Sequence, residues 1–275
     1  MSVSNAADLF NTAEEFGELS SDSVALLDPL QTEINAALAQ GEKKRAAKVV
    51  LVSTGNDNSP SMGHIGPGTA KTNWELACEG HDLIMTSLAG SKAASEILAH
   101  STYINEFDGN SGIHFEFRDL VLPGHTAKNP KFNFVPLPPK TRLLGGTPLC
   151  SWMLRVLGTV QAQSTVYTQD GSEVFSISIF LTDGGNNDWN CKPSEVKTLV
   201  EDMRRQERHM IYLGGIDDGV TNYEAFGAEC GLDPDCVKGL PNDPSAIRAW
   251  LQQVSQSAVA GSEAADINSF SQVKL

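Results

Sequence analysis

Basic residues are in short supply: 20 Lys and Arg stand against 34 Asp and Glu, a formal net charge of −14. Such a surplus repels a phosphate backbone and argues against a nucleic-acid partner unless a local basic patch overrides it. The one dense patch, Lys43-Lys44-Arg45, reads as a solvated lead-in to a strand. Cysteines number five (Cys78, Cys150, Cys191, Cys230 and Cys236), with no CxxC pair and no Cys/His set at zinc spacing. Scattered free thiols in a reducing compartment are therefore expected. No apolar run approaches the ~20 residues that cross a bilayer. The start, "MSVSNAADLF", lacks the basic opening and apolar core of a secretory leader. The expectation is a cytoplasmic protein without a membrane partner. Catalytic signatures are missing too. Ser59 and Ser61 sit in no GxSxG elbow, the glycines around them lack the lysine of a P-loop, and His64, His81, His100, His114, His125 and His209 show no paired spacing.

What is present suits a folded α/β domain. Hydrophobic residues make up 40% of 275, enough for a core in one domain with extra arms. "KVVLVS" (Lys48 to Ser53) is a β-branched run suited to a buried central strand. Trp74, Ala77, Cys78, His81, Met85 and Leu88 then fall at helical spacing. Strand-like "EILAHSTYINEF" and "IHFEFRDLVL" follow, with Ile113, Phe115 and Phe117 alternating in the second and "DGNSG" as the turn of an antiparallel edge pair. Pro123 to Pro139 reads as a long loop. In "GGTPLCSWMLRVLG", Thr147 stands where an N-cap belongs and Pro148 at the first helical position. "EVFSISIFLTDGG" is a strand with Phe175, Ile177, Ile179 and Leu181 on one face. Val196, Leu199, Val200 and Met203 mark a helix, "HMIYLGGI" a strand, Tyr223 to Glu229 a short helix and Val237 a short strand. Asp243 and Pro244 open a last helix that buries Ile247, Trp250, Leu251 and Val254. This alternation predicts a doubly wound, mostly parallel central sheet with one antiparallel edge strand and helices on both faces. Residues 1–46 read as an N-terminal helical arm of one or two helices, 47–258 as the domain and 259–275 as a flexible tail.

Three polar stretches fall at carboxyl ends of predicted strands or at a helix start: Asp57, Ser59 and Ser61 in "GNDNSPSMGHIGPG", Thr147, and Asp183 in "LTDGG". Ligands of doubly wound sheets gather in that crevice, and hard oxygen donors suit magnesium, manganese or calcium rather than zinc or copper. The Asp57 stretch and Asp183 have plainer readings as turn chemistry and Thr147 as a plain N-cap, and Asp217-Asp218 reads as a solvated loop. Ser53-Thr54-Gly55-Asn56 separate the apolar run from Asp57, so either the strand continues in polar residues or the loop is displaced.

In order, "DNSPSMG", "GGT" and "TDG" resemble the Asp-x-Ser-x-Ser motif, the threonine loop and the second-aspartate loop of von Willebrand factor type A domains. The resemblance covers roughly residues 47 to 257. The ending "AWLQQVSQSAVAGS" is similar to small bacterial members of the tellurite-resistance-associated type. It implies a metal-ion-dependent adhesion site, with hydroxyl oxygens from Ser59, Ser61 and Thr147 and negative charge from Asp57 and Asp183 around Mg2+ (or Mn2+ or Ca2+). The last ligand would be a Glu or Asp of a protein partner. It also implies no enzyme, and company such as a MoxR-type AAA+ ATPase or another stress-response or assembly protein. Asn186 and Asn187 stand where bacterial relatives often carry acids and are not counted as ligands. Alternatives are a structural or assembly subunit contacting partners through its N-terminal arm, and a metal-dependent hydrolase.

Overall fold

Strand β1 (Lys48–Asp57) sends Val49 and Leu51 into one core and Val50 and Val52 into another, all four fully buried. A strand apolar on both sides has to be central, and β1 pairs in parallel with both β2 (Ile97–Ile104) and β4 (Glu173–Thr182). The computed structural model describes residues 5–40, 46–104, 117–120 and 146–273. The expected "DGNSG" turn, Ile113, Phe115, His114, His125, the Pro123–Pro139 loop and Lys43-Lys44-Arg45 lie outside those residues.

The sheet runs β3-β2-β1-β4-β5-β6, where β3 is Arg118–Asp119, β5 is His209–Ile216 and β6 is Val237–Leu240. The last two continue the parallel pairing, while two-residue β3 lies antiparallel to β2 at Leu98 and Ala99. One face carries α4 (Asn73–Ala89), α8 (Pro244–Glu263) and α9 (Ile267–Ser271); the other carries α5 (Leu149–Gln169), α6 (Pro193–Arg205) and α7 (Tyr223–Glu229). This is the doubly wound α/β fold expected. From β1 the chain leaves through α4 to β2 on one side, and β4 lies on the other. The order therefore reverses at β1, whose carboxyl end is the switch point where such folds form their crevice.

The polar residues after the apolar run do not leave the sheet. Ser53 through Asp57 remain in β1 and buried. The Ser53 and Ser178 hydroxyls meet at 2.8 Å across to β4, and the Thr54 hydroxyl donates to Ser101 of β2 at 3.1 Å. Cross-strand partners offset the cost of burying these hydroxyls, so the strand delivers Asp57 at its last position.

Two expectations need correction. The described residues of 1–46 contain not one or two α-helices but three, α1 (Ala6–Glu15), α2 (Ser21–Leu27) and α3 (Gln31–Gln40), and they do not project as an arm. Phe10, Leu27 and Ile34 join the core around α5. Asp202 of α6 accepts from the Ser20 N–H (2.6 Å) and hydroxyl (2.7 Å) at the start of α2. Nor is 259–275 a loose tail among its described residues. Helix α8 continues to Glu263, because Ala and Ser sustain a helix once one face is packed. Phe270 of α9 then stacks on Phe175 with centroids 4.7 Å apart. All five cysteines are free, as expected, and no described helix is long and apolar enough to cross a membrane.

At the amino end of the sheet, His209 is buried between the Ser176 hydroxyl (2.6 Å to Nδ1) and the Gln206 side-chain oxygen (3.0 Å to Nε2). Gln206 also donates to the Glu18 carbonyl, and Arg208 pairs with the Glu18 carboxylate at 2.6 Å, which ties the N-terminal helices to this network. Burial, and secondarily the Arg208 charge, hold the His209 imidazole well below its ordinary 6.5. The unfolded chain therefore takes up this proton before the folded one does, and the contribution to stability present above 6.5 is lost as pH falls below it. Urea unfolding of His209→Gln is expected to show a smaller loss of stability between pH 7 and pH 5 than the unsubstituted protein; equal losses would remove His209 from the acid response.

Candidate functional site

Asp57 ends β1 fully buried, and its Oδ1 takes the Ser59 N–H at 2.7 Å, closing the tight turn that Asn-Ser-Pro chemistry suggests. A 3-10 turn at Pro60–Gly63 then brings Ser61 back towards Ser59, hydroxyl to hydroxyl at 2.8 Å. The Ser61 hydroxyl donates to Asp183 Oδ1 at 2.6 Å, which leaves Ser59 as donor in the Ser59–Ser61 contact. Thr147 donates to Asp57 Oδ2 at 3.1 Å across a separation of 90 residues. All five residues singled out in the sequence thus form one contact network at the carboxyl ends of β1 and β4. Gly184 closes it: a Cβ there would stand 3.2 Å from the Thr147 hydroxyl and within 4 Å of Ser61 Oγ and Asp57 Oδ2, so a side chain would crowd the centre of the cluster.

Three features had not been picked out, and one reading needs correction. Thr182 gives Asp57 Oδ2 its shortest hydrogen bond, 2.6 Å. Asn73 at the start of α4 donates to Asp183 Oδ2 at 3.0 Å, while its own Oδ1 is buried without a hydrogen-bond partner. Its signal was the Thr72-x-x-Glu75 capping box that opens α4. Thr147 is not the N-cap of α5; Pro148 holds that position and makes no side-chain cap bond. The amides at the entry to α5 are instead taken from across the crevice. Asn187 Oδ1 accepts from Thr147 N (2.6 Å), Asn186 Oδ1 from Cys150 N (3.2 Å) and Asp188 Oδ2 from Ser151 N (2.8 Å). This clasp does the capping, and the Thr147 hydroxyl remains available to the cluster.

The electrostatics are unfavourable as they stand. Burial pushes the Asp57 carboxyl up to about 6; the Thr182 hydrogen bond opposes the rise and the nearby Asp183 adds to it. Asp183 is raised by burial and lowered by its Ser61 and Asn73 bonds. Exposed His64, next to the motif, acts on Asp183 as a nearby charge that lowers it. No Lys or Arg among the described residues pairs with either carboxylate. Two acids and three hydroxyls with an uncompensated charge fit a hard dication, and among the described residues no group of three or more His, Cys, Asp or Glu offers a softer site. Asp218 is occupied locally, accepting from Val220 N and Thr221 N.

No family model matches the chain and no curated protein matches it. Two solved structures of the pilus adhesin SpaC from Lactobacillus rhamnosus GG, one in an open conformation, are similar at 15% identity, with TM-scores of 0.48 and 0.47. Each match covers 80% of this chain and 31% of the adhesin chain, so this chain spans less than a third of the adhesin's length.

Thr182→Val keeps the shape of the side chain and removes the donor to Asp57. In chelator at pH 7.5 it is expected to cost about 1–3 kcal/mol in urea unfolding. The deficit should shrink as pH falls below about 6, where Asp57 becomes protonated. A loss that does not change with pH would mean that Thr182 supports packing and not the Asp57 charge.

Proposed function

We propose that this chain is a protein-interaction module of the von Willebrand factor type A kind, gripping a partner's carboxylate through a divalent cation. One observation carries the reading. Oxygen-bearing side chains from three distant segments meet in the switch-point crevice around two buried carboxylates that no described Lys or Arg pairs with. Ser59, Ser61 and Thr147 would supply hydroxyl oxygens, and Asp57 and Asp183 charge, to Mg2+, Mn2+ or Ca2+. The donor set also gives the clasp, Thr182 and Asn73 a reason to be there, as groups that orient the ligands. Bound there, the ion would supply an open coordination position for an outside Glu or Asp. A bacterial cytoplasmic setting with a MoxR-type ATPase or a stress-response complex belongs to the same proposal. The competing idea of a partner surface on the N-terminal helices is weakened, since those helices bury Leu9, Phe10, Leu27 and Ile34 in the chain's own core.

Saturating Mg2+ or Mn2+ is expected to stabilise the protein, by ~2.7 kcal/mol at about one hundred times the dissociation constant. Asp57→Ala and Asp183→Ala should abolish the effect while circular dichroism reports an intact fold. If calorimetry and Mn2+ paramagnetic resonance detect no ion bound to the unsubstituted protein, the proposal is wrong.

A further inference from the structure

The loops that follow β1, β4 and β5 share an unexpected composition at their tips. Six large apolar side chains are exposed among the described residues, and three of them, Ile65 (59%), Trp189 (92%) and Val220 (91%), sit one on each of these loops. Single exposed apolar residues need no explanation. Three on adjoining loops around one crevice do, especially as each is mounted on backbone fixed by hydrogen bonds.

Ile65 bridges Thr72, and the His64 carbonyl beside it accepts from Asn73 N at 2.9 Å; Asn73 is the residue that reaches Asp183. Trp189 follows Asp188, whose carboxylate takes Ser151 N at 2.8 Å and Asn190 N at 2.9 Å as part of the clasp on α5. Val220 lies in the turn closed by Asp218 through Val220 N at 2.9 Å and Thr221 N at 2.7 Å. The loops also touch one another. Ser61 reaches Asp183, and a Cβ on Gly185 would stand 2.8 Å from Thr221 Oγ1, so only a glycine lets the second and third loops lie this close. Rigid apolar tips around a polar centre resemble the layout of a recognition surface, where anchors lose little freedom on binding.

The surrounding charge narrows the occupant. Beside Val220 an open hollow of about 560 Å³ is lined by Tyr223, Leu240 and Pro241 but also by Asp217 and Glu224. Asp217, Asp218 and Glu224 are exposed, and the whole chain carries −14. A run of acids on the partner would be repelled by this rim far more than a lone carboxylate, whose single charge an ion at the centre could offset.

We propose, resting on the ion-binding reading above, that the collar of Ile65, Trp189 and Val220 selects a protein segment presenting one carboxylate between bulky apolar side chains. The carboxylate meets the ion, and the apolar neighbours cover the loop tips. The collar sets specificity and takes no part in holding the ion.

The test uses the full chain and short fluorescent peptides centred on Leu-Glu-Leu, Gly-Glu-Gly, Glu-Glu-Glu and Leu-Gln-Leu, in Mg2+ and in chelator. Trp74, Trp152 and Trp250 are buried, so acrylamide quenching reports mainly on Trp189. In Mg2+ the Leu-Glu-Leu peptide is expected to bind at least about tenfold more tightly than the other three and to shield Trp189. Trp189→Ser and Val220→Asp should erase the preference over Gly-Glu-Gly while Mn2+ binding stays unchanged. Equal Mg2+-dependent affinity for the Leu- and Gly-flanked peptides would overturn the collar and leave the ion site standing. Failure of the unsubstituted protein to bind Mn2+ would overturn both. No binding of Leu-Glu-Leu up to about 1 mM, or concentration-dependent self-association lost in Trp189→Ser with the peptides inert, would also overturn the proposal, the latter by assigning the collar to a second copy.

Discussion

Asp57 and Asp183 are carboxylates buried from bulk solvent and paired with no described Lys or Arg, and the surrounding architecture can be understood as the support for that placement. Burial raises both. Left alone they would be an expense with no return, because buried charge without a partner is among the costliest features a fold can carry. Hydroxyls from Ser61, Thr147 and Thr182 and the amide of Asn73 offset part of that cost and set the carboxylate orientations. None of these groups carries a formal positive charge. A site satisfied in hydrogen bonds but not in charge is what a hard cation would complete.

Much of this was legible before any coordinates. The central strand follows from its uninterrupted, valine-rich apolar run, and α6 and α8 follow from their apolar spacing, with Val196, Leu199, Ile247 and Trp250 all buried as that spacing implies. The five cluster residues were legible because their motifs keep chain order and fall at strand ends, where a doubly wound sheet gathers its ligands. Other features were not legible, for identifiable reasons. The polar half of β1 looked ambiguous because its partners, Ser178 and Ser101, lie on other strands, and cross-strand hydroxyl pairs leave no local pattern. The clasp on α5 was invisible because a helix N-terminus is usually capped by its own preceding residue, and here the caps come from about 40 residues further on.

The ends of the chain teach a related lesson. Composition marked residues 259–275 as loose and 1–46 as an appendage, yet Phe270 and Phe10 are both buried at about 1% exposure or less. Small residues such as Ala and Ser carry little hydrophobic signal of their own. Whether such a segment packs depends on a few large side chains and on what the rest of the fold leaves uncovered. The network of Glu18, Gln206, Arg208 and His209 shows the same principle in polar form, with helix and sheet contributing members that are distant in sequence.

The clasp has one more consequence. The amino end of a helix beside a switch-point crevice is ordinarily where a phosphate or other oxyanion docks, drawn by free amides and by the helix dipole. At the entry to α5 the amides of Thr147, just before the helix, and of Cys150 and Ser151 in its first turn already point at Asn187, Asn186 and Asp188. With those donors engaged, and a carboxylate among the groups engaging them, this helix start has little to offer a phosphate. A position that many folds leave open to anions is here taken up by the chain's own side chains.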